Sequence, residues 1–205
     1  MSRLRNGSGN GAGGGGPRRP LYHVAVATYP IRIFGDPVLR QRAAEVDDVD
    51  GKLVRLAQDM VETMYEAPGV GLAAPQVGVQ RRMFVYDAGD GPHTIVNPEI
   101  VEARGEWTYE EGCLSVPDLS WPIVRPNEVH LRGHDLEGNE VDIEADEFLG
   151  RVFQHELDHL DGILLLERLD QDQHKEAMKI LRGRALGYEP MRRERRLARR
   201  GIREL

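Results

Sequence analysis

The pentapeptide His155-Glu156-Leu157-Asp158-His159 sets two imidazoles four positions apart, with an acid beside the first. On a helix of 3.6 residues per turn, such positions lie one above the other on a single face. His155 and His159 can therefore offer two ring nitrogens to one metal ion. Glu156 sits about 100° around the helix from His155, within reach of a water held by that ion. A carboxylate there serves as general base and not as ligand. The same five residues also describe an exposed, charged helix, and a pattern with two free positions recurs by chance. The flanks favour the metal. Phe148, Leu149, Val152, Phe153, Leu157, Leu160 and Ile163 would cover most of the helix with apolar side chains, so it reads as buried. Buried histidines and acids need partners, and a metal would supply one.

A catalytic site of this kind takes three protein ligands and leaves one position for water. Cys113, in Glu111-Gly112-Cys113-Leu114-Ser115, follows a strand-like stretch, and a thiolate there would complete a Cys-His-His set. Gly112 lets the backbone approach a ligand closely. Cys113 is the only cysteine, so no intramolecular disulfide forms and a reducing, cytoplasmic setting is expected. A lone cysteine is as readily a small buried hydrophobe. The segment Gly69-Val70-Gly71-Leu72-Ala73-Ala74-Pro75-Gln76 offers accessible backbone for an extended peptide and an amide donor in Gln76. Taken alone it is an ordinary small-residue turn.

These residues have to be positioned by the elements around them. Helical spacing runs from Leu53 to Tyr65 and stops at Pro68-Gly69. Arg82–Asp87 reads as a buried strand, and Thr94–Val101 as another, interrupted by Pro98. Val129–Asp135 and Glu140–Glu144 alternate about Glu137-Gly138-Asn139, a hairpin signature. Helical period returns over Phe148–Leu160, with Gly162 as its stop. Asp170 is placed to cap a last helix. Strands precede the histidine helix without regular βαβ alternation, which predicts an α+β fold: antiparallel sheets around a central metal-binding helix, with a C-terminal helix.

The three segments, 69–76, 111–115 and 155–159, together resemble the signature motifs of peptide deformylases, in that family's order and approximate spacing. The resemblance runs from about Ile31 to Leu169. It implies Cys113, His155 and His159 as metal ligands and Glu156 as general base. It also implies that the Leu114 N–H and the Gln76 amide hold the formyl oxygen. Substrates would be N-formyl-methionyl nascent peptides, losing the formyl group as formate. Val70, Tyr109 and Val152 are candidates for the methionine pocket, with Gly71, Glu111 and Gly112 along the peptide; each could equally be core. The family's ion is typically iron(II), although zinc, nickel or cobalt can occupy such a site. Many relatives carry an arginine just beyond the cysteine motif. This chain has Ser120 there, which puts any substrate contact carried over to that position in doubt.

Two other readings start from the same residues. A generic zinc peptidase shares the His-Glu-x-x-His pattern but usually completes it with a downstream ligand, not an upstream cysteine. A silent binding protein would not need Glu156, Gln76 and all three ligands intact.

The ends of the chain read differently from its middle. Residues 1–28 form a Gly/Arg-rich leader, expected to be flexible and lacking the apolar centre of a secretory signal. The catalytic domain is expected over 29–188. The net charge is −7, which argues against a specific nucleic-acid partner for the whole molecule. The basic tail at 189–205 runs against that sign: from Met191 it holds seven arginines against two glutamates. The tail is a solvated end or a ribosome-docking element. No membrane partner is expected, since the longest apolar run, Ile163–Leu166, is far below the ~20 residues a span requires.

Overall fold

Asp50 starts the first helix by accepting from the Lys52 and Leu53 N–H groups, leaving α1 to run over Gly51–Glu66. The computed structural model describes residues 28–187. The expected leader (apart from Thr28) and basic tail lie outside the described residues.

Five strands make one antiparallel sheet: β1 (Gly71–Ala73), β2 (Met83–Tyr86), β3 (His93–Arg104) and, beyond a separate hairpin, β6 (Glu128–His134) and β7 (Glu140–Asp146). Their order in the sheet is β1-β2-β3-β6-β7. The separate hairpin is β4 (Trp107–Cys113) with β5 (Val116–Arg125). Helix α2 (Glu147–Leu160) carries the histidines, and α3 (Gln171–Ala185) follows, capped by Asp170 as its sequence predicts.

The large sheet separates two apolar clusters. Leu72, Met83 and Val85 pack with Leu53, Ala57, Met60 and Met64 of α1. Ala73, Phe84 and Tyr86 pack with Val152, Phe153 and Leu160 of α2. Strand β2 is therefore covered on both faces, and all four of its residues are apolar and buried. Phe84, Tyr86 and Phe153 form an aromatic knot, with Tyr86 edge-on to Phe153 at 5.1 Å between ring centres. The interruption expected at Pro98 is real: the β3–β6 register shifts between Val96 and Glu99, and Asn97 adopts φ +49°. The Asn97 side chain then bonds the Val46 N–H and C=O, both at 2.9 Å, and fastens the N-terminal segment to the sheet.

Two local expectations need correction. The segment 69–76 is more than a loop, because Gly71–Ala73 pairs with β2 and Ala74–Val77 forms a 3-10 turn. The three residues of that strand are all buried, so they carry no alternation from which a strand could be read. The β4–β5 hairpin was not expected as such; its turn at Leu114-Ser115 holds neither glycine nor proline.

Candidate metal centre and peptide cleft

Helix α2 enters the protein closely packed. A side chain on Gly150 would come within 3.1 Å of the Ala145 carbonyl and 3.3 Å of the Asn127 carbonyl, so any larger residue would push the helix away from these carbonyls by a few tenths of an ångström. That approach brings His155 and His159 towards the tip of the β4–β5 hairpin, where Cys113 lies. One ligand atom from each of Cys113, His155 and His159 fits within 4.8 Å of the others. Cys113 Sγ is 3.2 Å from His159 Nε2, and the two imidazole rings are 5.1 Å apart, edge to face. The structure thus gathers the three residues that the sequence paired only by type.

The donor set suits a divalent transition ion: one soft thiolate and two imidazoles. Burial alone would raise the Cys113 thiol, but the His159 and His155 imidazoles outweigh it and hold the thiol well below its ordinary value. Thiolate is the form that ligates. Glu156 is buried beside the cluster, and burial pushes its carboxyl up to about 7. Its Oε2 has no hydrogen-bond partner among the described residues, an open acceptor where a general base would need one. A side chain on Gly71 would collide with the Glu156 carboxylate, which gives that glycine a packing reason.

Gln76 is fixed at both ends of its amide. Oε1 accepts from the Ala73 N–H at 2.8 Å, and Nε2 donates to Ser115 Oγ at 3.2 Å, 3.9 Å from Cys113 Sγ. A cleft of about 560 Å³ opens over the cluster. Val70, Gly71, Tyr109, Glu111, Gly112, Leu114 and Val152 all line it, as do Gln76, Cys113, His155 and Glu156. His159 does not; it is 1% exposed, at the floor. Val70 and Tyr109 stand partly exposed at the rim, whereas Val152 is buried. Ser120 donates to Glu110 at 2.6 Å, so a carboxylate lies at the rim beside Ser120.

Behind the three candidate ligands is an ionic lattice that sequence reading missed. Glu111 takes Arg125 Nε and Nη2 at 2.8 and 3.0 Å, Arg151 Nη1 at 2.8 Å and His155 Nδ1 at 3.0 Å. Burial would raise Glu111, but His155 and Arg125 outweigh it and keep the carboxyl down at about 2. Held in this way, the Glu111 carboxylate turns His155 so that Nε2 is free for a metal. Asp158 takes Arg125 Nη1 at 2.7 Å and a two-pronged contact from Arg168. The available signal was faint: Arg125 ends the apolar run Trp121-Pro122-Ile123-Val124, and Arg151 interrupts the apolar side of α2. The histidines outside the motif that are described, His93, His130, His134 and His174, are away from the cluster.

A cysteine and two histidines able to hold a metal ion below the cleft, with a buried carboxylate alongside, make up the kind of site that a metal-dependent hydrolase uses. The sequence profile described as Polypeptide deformylase matches residues 28–175. The chain is 51% identical over 138 residues to a peptide deformylase of Clostridium botulinum, covering 67% of this chain and 94% of the relative. Among solved structures, a peptide deformylase from Legionella pneumophila superposes with TM-score 0.73 at 38% identity, covering 80% of this chain and all of that one. The Ehrlichia chaffeensis enzyme in complex with actinonin gives TM-score 0.73 at 36% identity, covering 77% and 98%. This chain belongs to the polypeptide deformylase family and is an enzyme, a deformylase acting on formylated nascent peptides.

Proposed function

We propose that the cleft binds the N-formyl-methionyl end of a nascent peptide and hydrolyses its formyl amide, releasing formate. The observation that carries this reading is the convergence of Cys113, His155 and His159 beside Glu156. Those three side chains would hold one divalent ion, iron(II) in the cell, with zinc, nickel or cobalt as replacements. When bound, the ion supplies Lewis acidity and lowers the pKa of water to about 7. Glu156 takes the proton from the attacking water and passes it to the departing amine. The Leu114 N–H and the Gln76 amide donate to the formyl oxygen as it gains charge, oriented donors worth about 2.7–4 kcal/mol each. Gln76 suits that task because Ala73 fixes its rotamer before substrate arrives. The methionine side chain would lie among Val70, Tyr109 and Val152. Gly71, Glu111 and Gly112 would run along the peptide, Glu111 acting through its neighbours. The setting is the cytoplasm, and the arginine-rich tail docks the enzyme on the ribosome.

The test is formate release from a formyl-Met peptide by anaerobically purified protein, with its metal content measured. Alkylation of Cys113 with and without chelator is the companion measurement, because a ligating thiolate is protected until the metal leaves. Formate release with chelator-dependent labelling is expected. Equal labelling in both samples would remove Cys113 from the ligand set, and absence of formate would sink the reading.

A further inference from the structure

The β4–β5 hairpin leaves part of the cleft wall outside its ladder. Gly112 pairs with Ser120 and Cys113 with Val116, so Pro117, Asp118 and Leu119 bulge out between those two pairs. All three line the cleft, and Asp118 adopts φ +60°, a left-handed conformation uncommon for a residue with a side chain. Backbone groups without ladder partners must be held from elsewhere if the wall is to keep one shape.

Helix α3 holds one of them, the Pro117 carbonyl. Arg184 Nη1 donates to the Pro117 carbonyl at 2.6 Å, and Nη2 lies 4.0 Å from the Asp118 carboxylate. The helix is itself anchored: Ala177 is fully buried, and Met178 and Leu181 pack in the cluster that contains Leu119 and Cys113. Gln173 Nε2 also donates to the Pro122 carbonyl at 3.2 Å. The guanidinium is therefore presented from a fixed base. Arg184 lies beyond residue 175, where the family profile ends.

We propose that Arg184 is a positioning residue, which fixes the Pro117–Leu119 bulge as a wall of the cleft and so sets how tightly the peptide is bound. It does so without touching the reacting atoms. The proposal rests on reading the cleft as the formyl-peptide site. A wall free to move loses peptide affinity before it loses chemistry, because the ligands and Glu156 are held by other contacts.

The experiment compares Arg184→Ala, Arg184→Lys and Arg182→Ala, the last exposed on the same helix, using formyl-Met-Ala-Ser and the metal-loaded enzyme. Arg184→Ala should raise KM roughly three- to tenfold with kcat changed less than twofold. Arg184→Lys, which keeps a charged donor, should recover most of that loss, and Arg182→Ala should match wild type. Calorimetric binding of a peptide hydroxamate should weaken in parallel with KM, at equal metal content. If Arg184→Ala fails to fold, Arg184→Gln carries the same comparison. A KM equal to that of Arg182→Ala would overturn the proposal, as would a fall in kcat that tracks lost metal. Wild-type formate release is the control: its absence sinks the deformylase reading, whereas its presence with unmoved KM sinks only the role of Arg184.

Discussion

Helix α2 turns two unlike polar faces to the molecule. At about 100° per residue, His155, Glu156 and His159 share one face, while Arg151, Gln154 and Asp158 share another, about a third of a turn away. On the first, Glu156 Oε2 and His159 Nδ1 are buried without partners among the described residues. On the second, Asp158 is met by two arginines, Gln154 donates to the Pro126 and Gly150 carbonyls, and Arg151 reaches Glu111 and the Ile123 carbonyl, leaving only its Nε without a partner among the described residues. Bonding capacity used up in this way fixes position, and capacity left open is available for chemistry. Glu111 joins the two faces, since it takes both arginines and turns His155.

The largest effect should come from the open face. Glu156→Gln keeps the shape of the side chain and removes the base, so turnover should fall about 10²–10⁴-fold with metal content unchanged. Formate assays beside metal analysis measure both quantities. Activity within tenfold of wild type would mean that an unpartnered buried carboxylate here is only a packing accident.

Next comes the saturated face. Arg125→Leu leaves the Glu111 and Asp158 carboxylates buried without their shared partner, at a cost of about 3–5 kcal/mol in unfolding free energy. Urea titration measures it, and a loss below about 1 kcal/mol would break the link between saturation and stability. Arg168→Ala sharpens the comparison on the same acid. Its side chain is 41% exposed, so solvent screens the pair, and a loss of about 1 kcal/mol or less with unchanged kcat is expected. A loss as large as that from Arg125 would show that exposure matters less than bond count.

The smallest effect on chemistry is expected at the end of the chain. Terminating it after Tyr188 removes the basic stretch, and turnover of short formyl peptides should not change. Salt-sensitive co-sedimentation with ribosomes should weaken. Unchanged sedimentation would remove the docking role from the tail.

The open face was legible in the sequence and the saturated one was not, for a physical reason. His155, Glu156 and His159 are near neighbours on one helix, so local spacing encodes their geometry. The Glu111 contacts join residues 14, 40 and 44 positions apart, and an arginine that will be buried looks the same in sequence as one in water. The start of α3 was legible because Asp170 caps it, whereas the Asp50 cap of α1 was not read and that helix was expected only from Leu53. The β4–β5 hairpin was not, because Pro117 and Pro122 break its strand pattern and its three-residue bulge breaks its alternation. Cys113 was picked out as a candidate ligand by motif and charge type. Its 3.2 Å approach to His159 depends on that unread hairpin.

The lattice behind the ligands draws on Glu111, Arg125, Arg151, Asp158 and Arg168, in that order along the chain. Synthesis is vectorial, and sheet and helix can begin to form as their residues emerge. The lattice cannot close until Arg168 has been made, by which point every other member is already waiting. An enzyme proposed to remove the formyl cap from other newborn chains therefore closes the lattice behind its own site only once Arg168 has been made. A truncated translation product ending before Arg168 would carry all three proposed ligands and the proposed base, yet leave Asp158 short of one arginine and the Pro117–Leu119 bulge without its brace.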